Sequence, residues 1–363
     1  MSLRSKQTAL DRHNLAGWLM ASPVVLLMFV FLVTPFLLGV GLSLTNQRLV
    51  SPNPTQFVGL ENFGRLLGVG VLVMEPERDD AGNVVRDSDG RISYPRLRSY
   101  TRNNPDYPHL AGMQEYKSFG WGEDRVLLLA RDVVFIKALV NTFCFVIVVA
   151  PLQGGLALLL AMLVNQKLRG ISLFRAIYFM PVVLSIVVVA LLWRFIYAGD
   201  NGLLNNLLNA LTFGFFQPVD WLGRPDTALW AILVMSVWQG VGFHMVIWLS
   251  GLQTIPASLY ESAQLEGAGR WQMFRFITWP LLRNTAVLVL LVITMHAFAL
   301  FAQIDVMTRG GPLDSTQTIV YQAVERGYVK QDIAAGSAIS VILFLIVLTI
   351  SLIQRYLTRE RMQ

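Results

Sequence analysis

The sequence predicts an all-α polytopic membrane protein with six spans and a small external α/β or β insertion. Three observations carry this expectation. Of 363 residues, 54% are hydrophobic and only 14% are charged, against ~25% charged in soluble domains. The apolar residues gather into six nearly uncharged windows, each about the twenty residues of helix that cross a ~30 Å hydrocarbon layer. A single long polar segment, residues 45–134, interrupts a chain whose other connections are short.

The windows cover approximately residues 18–44, 138–165, 176–197, 228–252, 284–304 and 334–354. The first, "WLMASPVVLLMFVFLVTPFLLGVGLSL", is longer than the ~7–15 residue core of a cleaved signal and lacks a small-residue cleavage pattern, so it reads as a permanent span. Residues 135–354 then form the core of five further spans. Cys144, the single cysteine, lies in the second span; it excludes an intrachain disulfide and is expected to be a small buried hydrophobe. Pro23, Pro35, Pro151 with Gly154 and Gly155, and Pro181 are helix breakers inside spans. Neighbouring helices can satisfy the backbone groups they free, and they are expected to kink the packing.

The net charge of +6 is concentrated at the ends of spans. Arg4, Lys6 and Arg12 precede the first span, and Lys167 and Arg169 separate the second and third. Arg270 and Arg275 lie between the fourth and fifth, and Arg355, Arg359 and Arg361 follow the last. With six spans these segments share one face, and short basic loops mark the cytoplasm. Both termini, residues 1–17 and 355–363, are expected there. This placement argues against a nucleic-acid surface.

The long segment is expected to be external, with an inserted subdomain over about residues 70–131. "NVVRDSDGRISY" reads as two short strands around an Asp-Ser-Asp-Gly turn. The rest of a calcium-binding EF-hand loop is missing, and no pair of histidines or acids has metal-ligand spacing.

Between the fourth and fifth spans, in the loop 253–280, stands "YESAQLEGAGRWQMFRFITWPLL". Ser258 is expected to cap a helix with Glu261 as its reciprocal partner. Gly267 suits a left-handed helix end, a second short amphipathic helix follows, and Pro280 is expected to open the fifth span. The result is a helical hairpin on the cytoplasmic face, presenting Tyr260, Ala263, Leu265, Trp271 and Phe274.

This passage resembles the cytoplasmic loop signature of permease subunits of ATP-binding-cassette (ABC) importers. Glu261, Ser262 and Ala263 stand for its opening Glu-Ala-Ala, Gly267 for its glycine, Ile277 for its isoleucine and Trp279-Pro280 for its closing Leu-Pro. "LRGISLFRAIYFMPVVLS", "VDWLGRPDTALWAI" and "TRGGPLDSTQTIVYQAV" are similar to the carbohydrate branch, the maltodextrin permease family. The resemblance implies a six-span importer permease in the inner membrane of a prokaryote. It implies a coupling helix that docks on a separate ATPase, with Tyr260, Glu261, Ser262, Ala263, Glu266, Gly267, Ala268, Trp271, Phe274, Ile277 and Pro280 in the contact. The implied partners are a second homologous permease, two ATP-binding subunits that carry ATP and Mg, and an extracytoplasmic solute-binding protein. This chain is expected to bind no cofactor or metal and to have no catalytic residue; it has no G-x-x-x-x-G-K-[ST] loop with which to hold ATP.

By position, the resemblance places Trp238, Gln239, Gly240 and Phe243 along a sugar pathway. Two asparagines of the maltodextrin permease correspond to Ala297 and Leu300, and His296 and Gln303 are candidates for replacement polarity. His244 is a candidate to line a cavity or to bond across helices, and the second is expected. The span cores hold essentially no Asp or Glu, which argues against a gradient-driven transporter, and no nucleophile–base set suggests an enzyme. The expected solute is a neutral sugar, an oligosaccharide or glycoside; an importer for glycerol-phosphate or another polar solute is the alternative. The insertion is expected to dock the solute-binding protein.

Overall fold

The computed structural model describes residues 17–102, 104–166 and 169–359. The basic residues Arg4, Lys6, Arg12, Lys167 and Arg361, and the side chain of Arg359, lie outside the described residues.

Helix α1, Gly17–Ser43, is apolar all round and almost wholly exposed, a surface suited to lipid rather than water. Its contact with the rest of the bundle includes Phe36 against Phe344, ring centroids 4.5 Å apart. A short helix α2, Glu61–Leu67, leads into the insertion. There β1 (Val69–Met74), β2 (Gln114–Trp121) and β3 (Asp124–Ala130) form an antiparallel sheet in the order β1-β3-β2. One face of the sheet buries Leu72, Met74, Leu127 and Leu129 against Leu110 and Met113.

The strands are not where the turn motif suggested. Around Asp87–Gly90 there is a single bridge, Arg86 to Ile92. The Asp87 carboxylate is taken up by the backbone N–H groups of Asp89 (2.9 Å) and Arg91 (2.8 Å). That is turn chemistry without enough apolar alternation to extend a ladder. The described residues hold no group of three or more potential metal ligands.

Strand β3 runs through Arg131 and Asp132 into α3, Val133–Val164, which is unbroken by Pro151. Cys144 on α3 is exposed, not buried; it sits on the bundle's outer surface, where apolar residues need no protein cover in a bilayer. The third apolar window is two helices, α4 (Ile171–Val183) and α5 (Ile186–Ile196), bent by 97°. Pro181 removes a donor from the last turns of α4, and Leu184 and Ser185 are extended. A short α6, Leu203–Leu211, precedes α7, Ala228–Gln253.

Helix α8 is Ala257–Leu265, and α9, Arg270–Leu281, contains a π turn at Phe274–Thr278. It meets α10, Arg283–Phe298, at a 68° bend. Pro280 therefore ends the hairpin's second arm and does not open the fifth span. The fifth window also breaks after Phe298, resuming as α11, Ala302–Met307. Helix α12, Ile319–Val324, passes through a π turn, Glu325–Val329, to α13, Ile333–Arg359. Among the described residues four helices are long and apolar enough to span a membrane, and counting each bent pair once gives six crossings. The chain is a multi-pass membrane protein.

A chain of polar contacts fixes the loop between α11 and α12 to the head of α3. Asn141 donates to the Ser315 and Gln317 carbonyls at 3.0 and 3.1 Å, and the Thr142 hydroxyl accepts from the Ile319 N–H at 3.1 Å. Gln322 donates to Gln317 (2.7 Å) and accepts from Arg326 (2.8 Å). Arg326 closes the chain with a bidentate pair on Asp132, Nη2 to Oδ1 at 2.7 Å and Nη1 to Oδ2. Asp132 also caps α3, accepting from Phe135 at 3.0 Å.

Burial would raise the Asp132 carboxyl, but the Arg326 hydrogen bonds and charge, the Phe135 N–H and Arg65 outweigh it and hold it below the ordinary carboxylate range. The pair thus contributes stability above the unfolded carboxylate pKa of ~3.9 and loses it as pH falls through the folded value. Arg326→Met leaves a buried carboxylate unpaired and should cost roughly 3–5 kcal/mol, read as a fall in the thermal unfolding midpoint of the detergent-solubilised chain. Asp132→Asn with Arg326→Met keeps the cap and should lose less than Arg326→Met alone, with a flatter acid limb than wild type. A double variant as damaged as the sum of the singles would show the pair to be uncoupled.

Candidate functional site

Two features concentrate the singled-out residues: a cavity within the bundle and the hairpin after α7. The cavity, about 540 Å³, is bordered by α3, α5, α7, α10 and the break between α10 and α11. Gln239, Gly240, His296 and Gln303 all border it, as do Ala297 and Leu300. Trp238 and Phe243 do not. A helix turns ~100° per residue, so Trp238, two positions before Gly240, faces the other way. It lines a separate cleft of about 260 Å³ with Trp193, their rings 5.6 Å apart. Phe243 stands beside the cavity wall, its ring 5.3 Å from His244 and 6.4 Å from His296.

The lining is mostly apolar, with several uncharged polar groups set into it. Gln153, Ser236 and His244 join the residues above, between the aromatic sides of Phe145 and Phe301, and among the described residues no Lys, Arg, Asp or Glu borders the space. Gln153 is a residue that the sequence reading passed over. It is the glutamine in the middle of the second apolar window, and that isolation was the available signal. His244 does not bond across helices as expected. Its Nδ1 donates to the Gly240 carbonyl one turn back, at 2.8 Å.

Glycines let the helices around the cavity approach closely. A Cβ on Gly240 would overlap the Gln153 amide, and one on Gly242 would overlap the Tyr178 carbonyl of α4. Between α3 and α7, Trp248 Nε1 donates to the Gly154 carbonyl at 3.1 Å, and Gln153 Nε2 donates weakly to the Ser236 carbonyl at 3.4 Å.

In the hairpin, α8 begins after Pro256, and Ser258 makes no cap; the fixed φ of Pro256 already sets the entry. The helix ends in a complete Schellman motif. Gly267 has φ +81°, its N–H reaches the Gln264 carbonyl at 3.0 Å, and the Ala268 N–H reaches Ala263 at 2.9 Å. Gln272 then reaches back to the Gly269 N–H at 2.7 Å. Tyr260 is not presented outward. Its hydroxyl bonds Thr278 Oγ1 at 2.9 Å, tying the two arms together, and Phe274 and Ile277 are likewise half-buried against the core. Outward stand Glu261, Ser262, Glu266, Gly267 and Pro280, with Leu265 91% and Trp271 72% exposed; Ala263 and Ala268 are half-buried between the two sets. The hairpin thus has an inner face that holds its shape and an outer face with uncovered apolar groups.

Residues 153–362 match the family model described as binding-protein-dependent transport system inner membrane component. The trehalose/maltose transport system permease protein MalF of Thermococcus litoralis is 34% identical over 235 residues, 65% of this chain and 78% of that protein. The probable starch degradation products transport system permease protein AmyD of Thermoanaerobacterium thermosulfurigenes is 25% identical across 98% of both chains. In fold, a bacterial ABC transporter involved in import of the acidic polysaccharide alginate superposes with TM-score 0.69 at 18% identity, over 99% of this chain and 100% of the matched one.

The two close glycines separate by what they touch. The Gln153 amide is the end of a flexible side chain and can move, whereas the Tyr178 carbonyl is backbone and forces α4 from α7. Gly242→Ala should therefore lower the thermal midpoint by the equivalent of about 1–3 kcal/mol, and Gly240→Ala by clearly less. Equal midpoints for the two variants would show that α4 yields freely.

Proposed function

The chain belongs to the family of binding-protein-dependent transport system inner membrane components, and from that premise we propose that it forms half of the translocation pathway of an ABC importer for a sugar, an oligosaccharide or glycoside. The observation that carries the sugar reading is the uncharged cavity, where amide, hydroxyl and imidazole groups meet aromatic side chains. Sugars offer hydroxyls for the former and apolar ring faces for the latter. The names of the relatives from Thermococcus and Thermoanaerobacterium agree with this reading. A phosphorylated solute would call for a cation, and none lines the space among the described residues.

The outer face of the hairpin is the proposed docking surface for an ATP-binding subunit, with Glu261, Ser262, Glu266, Leu265 and Trp271 in the contact. Tyr260, Phe274 and Ile277 support it from within, and the Gly267 turn sets the angle between its arms. ATP and Mg belong to the two ATP-binding subunits, and a second, homologous permease completes the pathway. In this arrangement the hairpin and both termini are cytoplasmic, and the sheet-bearing insertion faces the solute-binding protein. Its opposed charges, such as the exposed Arg78–Glu123 and Arg125–Glu115 pairs, suit a wet and salt-sensitive contact.

Glu261→Lys and Gly267→Val should strip the ATP-binding subunits during co-purification and cut transport at least about tenfold, the effect of losing ~1.4 kcal/mol of docking. The thermal midpoint of the isolated chain should stay near wild type for Glu261→Lys, because the side chain is exposed. Retained subunits and normal transport in both variants would remove the docking role. For the cavity, Gln239→Ala should reduce sugar uptake in proteoliposomes while the assembled complex keeps its basal ATPase.

A further inference from the structure

We propose that His244 recognises the solute directly, its Nε2 accepting a hydrogen bond from a hydroxyl of a neutral, polyhydroxylated solute in transit. This deepens, and rests on, the reading of the cavity as a sugar pathway. The tautomer follows from geometry. Nδ1 lies 2.8 Å from the Gly240 carbonyl oxygen, and a carbonyl oxygen can only accept, so the ring proton sits on Nδ1. In the neutral ring Nε2 is then a lone-pair acceptor without a proton.

That acceptor has nothing to accept from. His244 is 2% exposed, and its Nε2 has no hydrogen-bond partner among the described residues, a costly state for a buried polar atom. The His296 ring, with its centroid 6.4 Å away, makes no bond to it. Because His244 borders the cavity, the missing donor is assigned to what enters there. A carboxylate or phosphate has no proton to give at neutral pH and would find no cation in the lining. An ammonium group could donate but would find no carboxylate. A hydroxyl donates without bringing charge, and its oxygen can accept from the amides of Gln153, Gln239 or Gln303. Nε2 is sealed in this state, so the contact forms when the cavity wall shifts during passage.

The test uses the importer assembled in proteoliposomes from this chain, its partner permease, the ATP-binding subunits and the solute-binding protein. The probes are maltose, trehalose and lactose, set against maltobionate and glycerol 3-phosphate. Wild type should import one or more of the neutral sugars in preference to both anions. His244→Leu should lower that uptake about tenfold, the scale of one hydrogen bond, with basal ATPase retained. His244→Gln, whose Oε1 keeps an acceptor near the Nε2 position, should recover uptake to within about threefold of wild type. Unchanged uptake in His244→Leu while Gln239→Ala loses it overturns the role of His244 and leaves the cavity reading standing, as do equal losses in the Leu and Gln variants. Unchanged uptake in both His244→Leu and Gln239→Ala removes the cavity reading and this inference together. Import of an anion in preference to every neutral sugar, or of no neutral sugar, counts against both.

Discussion

Everything in this bundle answers to one constraint: in hydrocarbon, each backbone N–H and C=O must find a partner within the protein. An unbroken helix meets it alone, but two of the six crossings here are broken. The chain is also interrupted after Phe298, and there and in the loop before α12 the freed groups are met by side chains. Thr318 donates to the Leu300 carbonyl at 2.8 Å, at the interruption between α10 and α11. Asn141 and Thr142, on an adjacent turn of α3, serve the backbone of the 315–319 segment. The chain of contacts then runs through Gln317, Gln322 and Arg326 to Asp132. Removing one member leaves a buried polar group unpaired, which is why the Arg326–Asp132 pair matters more than an exposed pair of the same geometry.

The same constraint decides how much could be read from the sequence. Spans that are plain helices are visible as apolar windows, and four emerge as single helices close to their expected limits: α1, α3, α7 and α13. The bent crossings look identical in composition. Nothing about "FMPVVLSIVVV" distinguishes a kink from a 97° turn, because the geometry depends on whether other helices offer partners to the freed groups. Cys144 was misplaced for a related reason. In water an exposed cysteine among valines and phenylalanines would be unexpected, but in a bilayer the outer surface is as apolar as the core. The strands of the insertion were missed because the eye goes to turn residues, whereas the sheet is built by "VGVLVM" and "DRVLLLA", whose alternation places one set of side chains on Leu110 and Met113.

The hairpin was legible to a greater depth because its shape is local. Gly267 ends α8 through two backbone bonds that depend on its positive φ, a requirement that glycine meets and that leaves a mark in sequence. What sequence could not assign was the direction of each side chain. Tyr260 and Phe274 carry the same aromatic signal as Trp271, but Tyr260 is held by Thr278 eighteen positions later, and Trp271, like Phe276, stays largely uncovered. Inner and outer aromatic groups separate only once both arms are placed.

The break after Phe298 and the cavity are one feature seen from two sides. If α10 continued without interruption, Leu300, Phe301, Ala302 and Gln303 would rise past the cavity as successive helical positions on different faces. Instead the chain turns at 299–301, and all four border the same space. Thr318 holds that turn by its bond to the Leu300 carbonyl, and Thr318 is itself next to Ile319, which is fixed to Thr142. The wall of the cavity is therefore tied through short polar links to the segment that ends at Asp132, beside the sheet. A movement of the α12 segment relative to α3 must strain the Ile319–Thr142 bond or carry the 299–303 turn with it, which gives the insertion end of the protein a physical connection to the groups that line the cavity.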